Sequence, residues 1–155
     1  MKNIIFRLTL PLTIISFGIF TKWSYGLAID AKDVFFYGFP LIYKCEAFHT
    51  SGATQYFIWE MTLNLLTYFV FWLFITLTLN RIIKINIPRK ISKAFWIGFA
   101  IIFAGAIFLS NSLDDQYLIK RNFDVKIFDS GFTLFESNSK DWKKYQTKLK
   151  NWDGK

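Results

Sequence analysis

The sequence predicts an all-α membrane protein with three transmembrane helices, the N-terminus in the cytoplasm and the C-terminus outside it. Composition is the first reason: 53% of the 155 residues are hydrophobic and 21% aromatic, more than one soluble core of this size needs. The second is that three apolar stretches alternate with charged segments. We expect a transmembrane domain over residues 1–113 and an extracytoplasmic β-hairpin plus amphipathic helix over 114–155.

The central span is the stretch 56–79, in which Glu60 is the only charged residue. As a helix it would be about 36 Å long, against a hydrocarbon core of about 30 Å. It therefore predicts a tilted transmembrane helix.

A first span is predicted over residues 5–25, where Pro11 falls in the first turns and is tolerated. A cleaved signal peptide is the alternative, because Gly26-Leu27-Ala28 has small residues at the spacing that signal peptidase uses. Lys22, Trp23 and Tyr25 are more typical of an interfacial belt and favour an uncleaved helix.

The segment 26–55 is predicted to be an outer loop rich in aromatic residues. So many aromatic side chains indicate that the loop lies in the headgroup layer or packs over the helix ends. Gly38 and Pro40 predict a turn at its centre.

The loop 80–93 gives the strongest topology signal. It carries five basic residues and no acidic one, which are Arg81, Lys84, Arg89, Lys90 and Lys93. A short loop of this kind stays in the cytoplasm. Because topology explains much of the net charge of +8, we expect no nucleic-acid partner.

The third span is predicted over 94–113 and is rich in small residues. Gly98 lies four residues after Ala94, and Ala104 lies four after Ala100. Gly98, Ala100 and Ala104 are therefore candidates for close contact with another helix, although Gly and Ala are common in membrane helices generally.

The tail 114–155 is predicted to form a hairpin with its turn at Asp129-Ser130-Gly131, followed by a helix from Lys140 to Trp152. Four side chains form one stripe on this helix: Trp142, Tyr145, Leu149 and Trp152. The stripe would lie on an anionic membrane surface or pack on the hairpin.

A second candidate partner-binding group lies on the central helix, where Glu60, Asn64 and Thr67 share one face. A polar group this deep needs a partner, which is either a ligand or helix outside the chain or a packing contact inside it. Cys45 and His49 are too few for a metal site or a catalytic set. We expect no cofactor, no metal and no enzymatic activity.

The phrase Tyr37-Gly38-Phe39-Pro40-Leu41, with Asn64-Leu65-Leu66 and Phe71-Trp72 further on, resembles a pattern in uncharacterised small bacterial membrane proteins. Those proteins have a Gly-aromatic-Pro turn between two spans. The resemblance covers roughly residues 8–80, about half the chain, and implies a multi-pass protein of the bacterial cytoplasmic membrane. It implies no activity.

Three functions are open at this point. The first is an accessory or assembly subunit that binds another membrane protein or itself within the lipid bilayer. The second is an immunity-type or envelope-protective protein. The third is a subunit of a transporter or membrane enzyme that uses the stripe of Glu60 and Asn64.

Overall fold

The computed structural model describes residues 4–28, 31–47, 53–83, 88–112 and 115–134. Within these ranges the chain forms three helices and a six-stranded mixed sheet, so the all-α prediction is wrong. A π-helical segment, Ile5–Thr9, leads into the first α-helix. The elements in chain order are α1 (Leu10–Ile19), β1 (Phe20–Ala28), β2 (Ala31–Tyr37), β3 (Lys44–Glu46), β4 (Thr54–Phe57), α2 (Ile58–Ile82), α3 (Arg89–Ser112), β5 (Gln116–Leu118) and β6 (Val125–Leu134).

The sheet has the order β5-β4-β3-β2-β1-β6. Its pairs are antiparallel except β4 and β5, which are parallel. The predicted outer loop 26–55 therefore supplies the end of β1, all of β2 and β3, and the first half of β4. Phe36, an aromatic residue of this segment, is fully buried in a core, where it packs with Val34, Cys45 and the buried Phe57 of β4.

The prediction of three transmembrane helices is also wrong, because the predicted first span, 5–25, is apolar and helical only over Ile5–Ile19, which is shorter than a span needs. The helix ends at Ile19, and Phe20 adopts an extended backbone with ψ of 116°. From there successive side chains point to opposite faces of the sheet, so that Trp23 and Leu27 pack beside the buried Tyr25 on one face. The predicted interfacial belt is therefore part of β1, a strand paired on both sides. Cleavage after Ala28 would remove α1 and the strand that holds β6.

The hairpin predicted in the tail is replaced by the single strand β6. Asp129-Ser130-Gly131 lies within the strand, and Gly131 pairs with Trp23 of β1. A Cβ atom at Gly131 would come within 2.9 Å of the Trp23 indole. The glycine thus provides room for a ring and does not form a turn. The predicted helix 140–152 lies outside the described residues, as do Trp142, Tyr145, Leu149 and Trp152.

Two helices, α2 and α3, are long and apolar enough to cross a membrane. They correspond to the predicted spans 56–79 and 94–113. Only 17% of the apolar window of α2 and 6% of that of α3 are buried within the structure. Such exposure is unlike the core helix of a soluble protein and weakly indicates a membrane location.

The sheet lies at one end of the three helices. Helix α1 runs directly into β1, β4 runs directly into α2, and α3 is followed closely by β5. At the opposite end, α2 continues through Ile82 and α3 begins at Arg89, so much of the predicted loop 80–93 is helical.

Candidate functional site

The inner face of α2 carries a polar side chain at every fourth position. These five residues, which we call the α2 ladder, are Glu60, Asn64, Tyr68, Trp72 and Thr76. Each of them forms a hydrogen bond to a different part of the chain, and residues four apart lie on one ridge of a helix. The ladder therefore fixes the elements that surround α2.

Three members of the α2 ladder hold α1 and its junction with β1. Tyr68 donates its hydroxyl to the carbonyl of Phe20 at 3.0 Å, and the indole N–H of Trp72 donates to Ser16 Oγ at 2.8 Å. The hydroxyls of Thr76 and Thr9 lie 2.8 Å apart and both side chains are buried. Hydrogen bonds of this kind fix the position of one apolar helix against another, because few other directional interactions act between such helices.

Asn64 is fully buried and binds the turn between β2 and β3. Leu41 N–H donates to Asn64 Oδ1 at 2.9 Å, and Asn64 Nδ2 donates to the Leu41 carbonyl at 2.6 Å. The predicted turn is present: Gly38 has φ of 143°, and the Phe39–Pro40 peptide is cis. Both ends of the Asn64 amide are therefore occupied inside the chain.

Thr67 lies outside the α2 ladder. Its side chain is exposed and donates to the carbonyl of Leu63, one turn back, at 2.9 Å. The predicted face of Glu60, Asn64 and Thr67 thus shares its first two members with the ladder and departs at the third. The sequence signal that would have found Tyr68, Trp72 and Thr76 is a polar side chain at every fourth position after Glu60.

Glu60 occupies the sheet end of the α2 ladder. It is 8% exposed, and its Oε1 accepts a hydrogen bond of 3.3 Å from the backbone N–H of Arg121. Its Oε2 is buried and has no hydrogen-bond partner among the described residues. Glu60 also lines a polar cleft of about 390 Å³, together with residues 120–124 between β5 and β6.

A second cavity, of about 420 Å³, lies between α1 and α2. Phe20, Phe39 and Phe71 form much of its wall, and Ser16 and Thr67 add two hydroxyls. Its largely apolar wall suits a hydrocarbon chain.

Helix α3 makes few contacts with the other elements that the structure describes. The indole N–H of Trp96 donates to the carbonyl of Phe6 at 3.2 Å, and the Ser110 hydroxyl meets that of Tyr117. A Cβ atom at Gly98 or at Gly105 would meet nothing within 4 Å. These glycines are therefore unused by the described parts of the chain.

The predicted small residues of α3 do not share one face. At about 100° per residue, Gly98 and Gly105 lie about 20° apart around the axis, whereas Ala100 lies about 160° from Gly98. Ala104 lies near Ala100, so α3 offers two small-residue faces. Gly105 was missed because the expected spacing was four and not seven.

Cys45 is buried in β3, with its thiol 3.8 Å from Gln55 Oε1. Burial, helped by the negative charge of Glu46 and opposed by the positive charge of Arg121, raises the pKa of this thiol to about 12. His49 lies outside the described residues. Within the described ranges, no three His, Cys, Asp or Glu side chains form a group that could hold a metal ion.

Comparison with known proteins adds no assignment: no protein-family model matches the chain, and no curated protein or solved structure matches it significantly. The resemblance to small bacterial membrane proteins remains a prediction.

Proposed function

We propose that this chain is an accessory protein of the bacterial cytoplasmic membrane that binds another membrane protein through α3. The observation that carries the proposal is the near isolation of α3, whose apolar window is only 6% buried within the chain. A Cβ atom added at either of its two glycines would meet nothing within 4 Å in the described parts of the chain. In a bilayer, small residues allow two helices to approach closely, and packing drives their association.

The binding face we favour is the one formed by Gly98 and Gly105. Trp96 faces the chain itself, through its hydrogen bond to Phe6. Gly98 follows Trp96 by two residues and therefore points about 160° away from it. Gly105 lies seven residues further on and returns to the same side. A partner helix on this face would not compete with the π-helical segment that contains Phe6.

The proposed orientation places the sheet outside the cytoplasm. Arg81, Arg89, Lys90 and Lys93 lie at the ends of α2 and α3 that are remote from the sheet. The excess of basic residues in a short connection favours the cytoplasmic side. Because β6 belongs to the sheet, the tail that follows it would begin on the outer side.

The internal role of Asn64 gives little support to a transporter or enzyme built on Glu60 and Asn64. The amide is already used by Leu41 at both ends. No contact described above favours the immunity-type function over the accessory one.

The test is association in mild detergent, measured by affinity purification with quantitative mass spectrometry. We expect a stoichiometric membrane-protein partner with the wild type, and at least a tenfold loss of it with Gly98→Leu combined with Gly105→Leu. Bulky side chains on this face would hold the partner helix away.

The control is Ala100→Leu combined with Ala104→Leu, which adds similar volume at two exposed positions about 40° and 80° around the helix from Trp96, away from the glycine face. It should retain the partner. Loss with the alanine pair alone would move the interface to that face. Capture of no stoichiometric partner by the wild type would overturn the proposed function.

A further inference from the structure

The cleft beside Glu60 holds charges of both signs. It lies where the start of α2 meets the connection from β5 to β6. Lys120 and Arg121 supply positive charge, and Glu60 and Asp124 supply negative charge. Among the described residues no ion pair joins these groups. The cleft therefore offers separated positive and negative groups to a ligand.

Glu60 is the fixed element of this cleft. Its side chain is more than nine-tenths buried, and only Oε1 receives a hydrogen bond, from Arg121 N–H at 3.3 Å. Oε2 is buried and lacks a donor within the described part of the chain. A buried carboxylate oxygen without a donor costs free energy. A ligand that brings an N–H group would remove that cost.

The cleft lies at the depth of lipid headgroups if α2 crosses a membrane. Glu60 is the third residue of α2, roughly 3 Å along the axis from Ile58. The connection that carries Lys120 is attached just outside this helix start, because Trp59 N–H donates to the Ile119 carbonyl at 2.9 Å. The basic groups thus lie at the edge of the apolar segment.

We propose that the cleft binds a phosphate ester that carries a primary ammonium group, as in a phosphoethanolamine headgroup. Lys120 and Arg121 bind the phosphate, since a guanidinium and an ammonium both donate to phosphate oxygens. Glu60 Oε2 accepts an N–H from the ammonium. A quaternary choline ammonium has no N–H and cannot make this bond.

This site is separate from the proposed α3 interface. It rests on the membrane placement of α2 and needs no protein partner. Loss of a partner in the α3 variants would leave lipid binding unchanged, so the two proposals fail independently.

The first experiment is native mass spectrometry of the full-length protein in mild detergent. Phosphatidylethanolamine, phosphatidylcholine and phosphatidylglycerol with identical acyl chains are titrated separately. We expect phosphatidylethanolamine to bind the wild type at least tenfold more tightly than the other two. Equal binding of phosphatidylethanolamine and phosphatidylcholine would overturn the proposal without any variant.

Variants then test which side chains of the cleft bind the ammonium group and which bind the phosphate. Glu60→Gln should reduce phosphatidylethanolamine binding to the level of phosphatidylcholine, because the amide loses the carboxylate charge. Lys120→Gln combined with Arg121→Gln should weaken all three phospholipids. Glu46→Gln and Lys93→Gln are matched charge-removing controls outside the cleft and should change nothing. An unchanged lipid preference in a folded Glu60→Gln protein would contradict the proposal.

A competition experiment distinguishes the two possible ligands, a membrane lipid and a soluble phosphate ester with the same headgroup. Displacement of the lipid by soluble O-phosphoethanolamine would support recognition of the headgroup alone. Retention of the lipid against the soluble compound would support a site that requires a membrane lipid.

Discussion

Asn64 and Leu41 are joined by a pair of hydrogen bonds in which one side chain binds both backbone polar groups of the other residue. Leu41 N–H donates to Oδ1 at 2.9 Å, and Nδ2 donates to the Leu41 carbonyl at 2.6 Å. Asn64, in the second turn of the apolar helix α2, thereby holds the turn that connects β2 to β3. The pair links the sheet to α2.

We expect Asn64→Leu to lower the free energy of unfolding by about 1–3 kcal/mol, because two backbone groups lose their partner. Asn64→Asp should also destabilise, since a carboxylate cannot donate to the Leu41 carbonyl. Thermal unfolding in mild detergent, followed by circular dichroism, measures both. Thr67→Val is the matched control, because Thr67 bonds only its own helix. A loss as large in the control would contradict the assignment.

The contact of Trp72 with Ser16 should give a measurable coupling between α1 and α2. A double-mutant cycle with Trp72→Phe and Ser16→Ala isolates the hydrogen bond of 2.8 Å. We expect a coupling of about 0.6 kcal/mol, the usual size for polar contacts between membrane helices. The cycle is measured by unfolding in detergent micelles. Additive effects of the two substitutions would show that the bond contributes nothing.

Gly38 should tolerate no side chain. Its φ of 143° is unfavourable for other residues, and a Cβ atom would lie 2.1 Å from the Leu41 carbonyl oxygen. We expect Gly38→Ala to destabilise by about 2–4 kcal/mol. The control is Gly18→Ala in α1, where a Cβ atom meets nothing within 4 Å. That change should be neutral or stabilise by up to about 1 kcal/mol.

Cys45 should react slowly with maleimides. A pKa of about 12 leaves roughly 1,000-fold less thiolate at pH 8 than the ordinary value of 9.0 does. The labelling rate of the folded protein should rise with pH well beyond pH 9, whereas the rate after denaturation should level off there. Glu46→Gln should accelerate labelling and Arg121→Gln should slow it, because their charges act in opposite directions.

The same shift has a consequence for stability. Between pH 9 and about 12 the unfolded thiol loses its proton while the folded thiol keeps it, so folding becomes less favourable as the pH rises. Rapid labelling of folded protein at pH 8 would contradict a buried, protonated Cys45.

The candidate site was only partly predictable. Glu60 and Asn64 were found because polar side chains are conspicuous in an apolar helix. Tyr68 and Trp72 were not, since aromatic residues with one polar atom are ordinary in such a helix. The partners of the ladder belong to α1 and to the turn at Leu41, and no local pattern specifies them.

The sequence by itself determined α2, α3 and the turn at Gly38. Length and apolar character decide whether a segment can be a long exposed helix, and both are local properties. A glycine followed by an aromatic residue and a proline likewise restricts its own backbone.

Only the tertiary structure decided that Phe20–Ala28 and Val125–Leu134 form strands. These segments pair with each other across about 100 residues. The local sequence of the first predicts the end of a helix, and that of the second predicts a hairpin. A strand satisfies its backbone groups through neighbours distant in sequence, whereas a helix satisfies them internally. Helices α2 and α3 could therefore be predicted from the sequence, whereas each strand of the sheet depended on its partners.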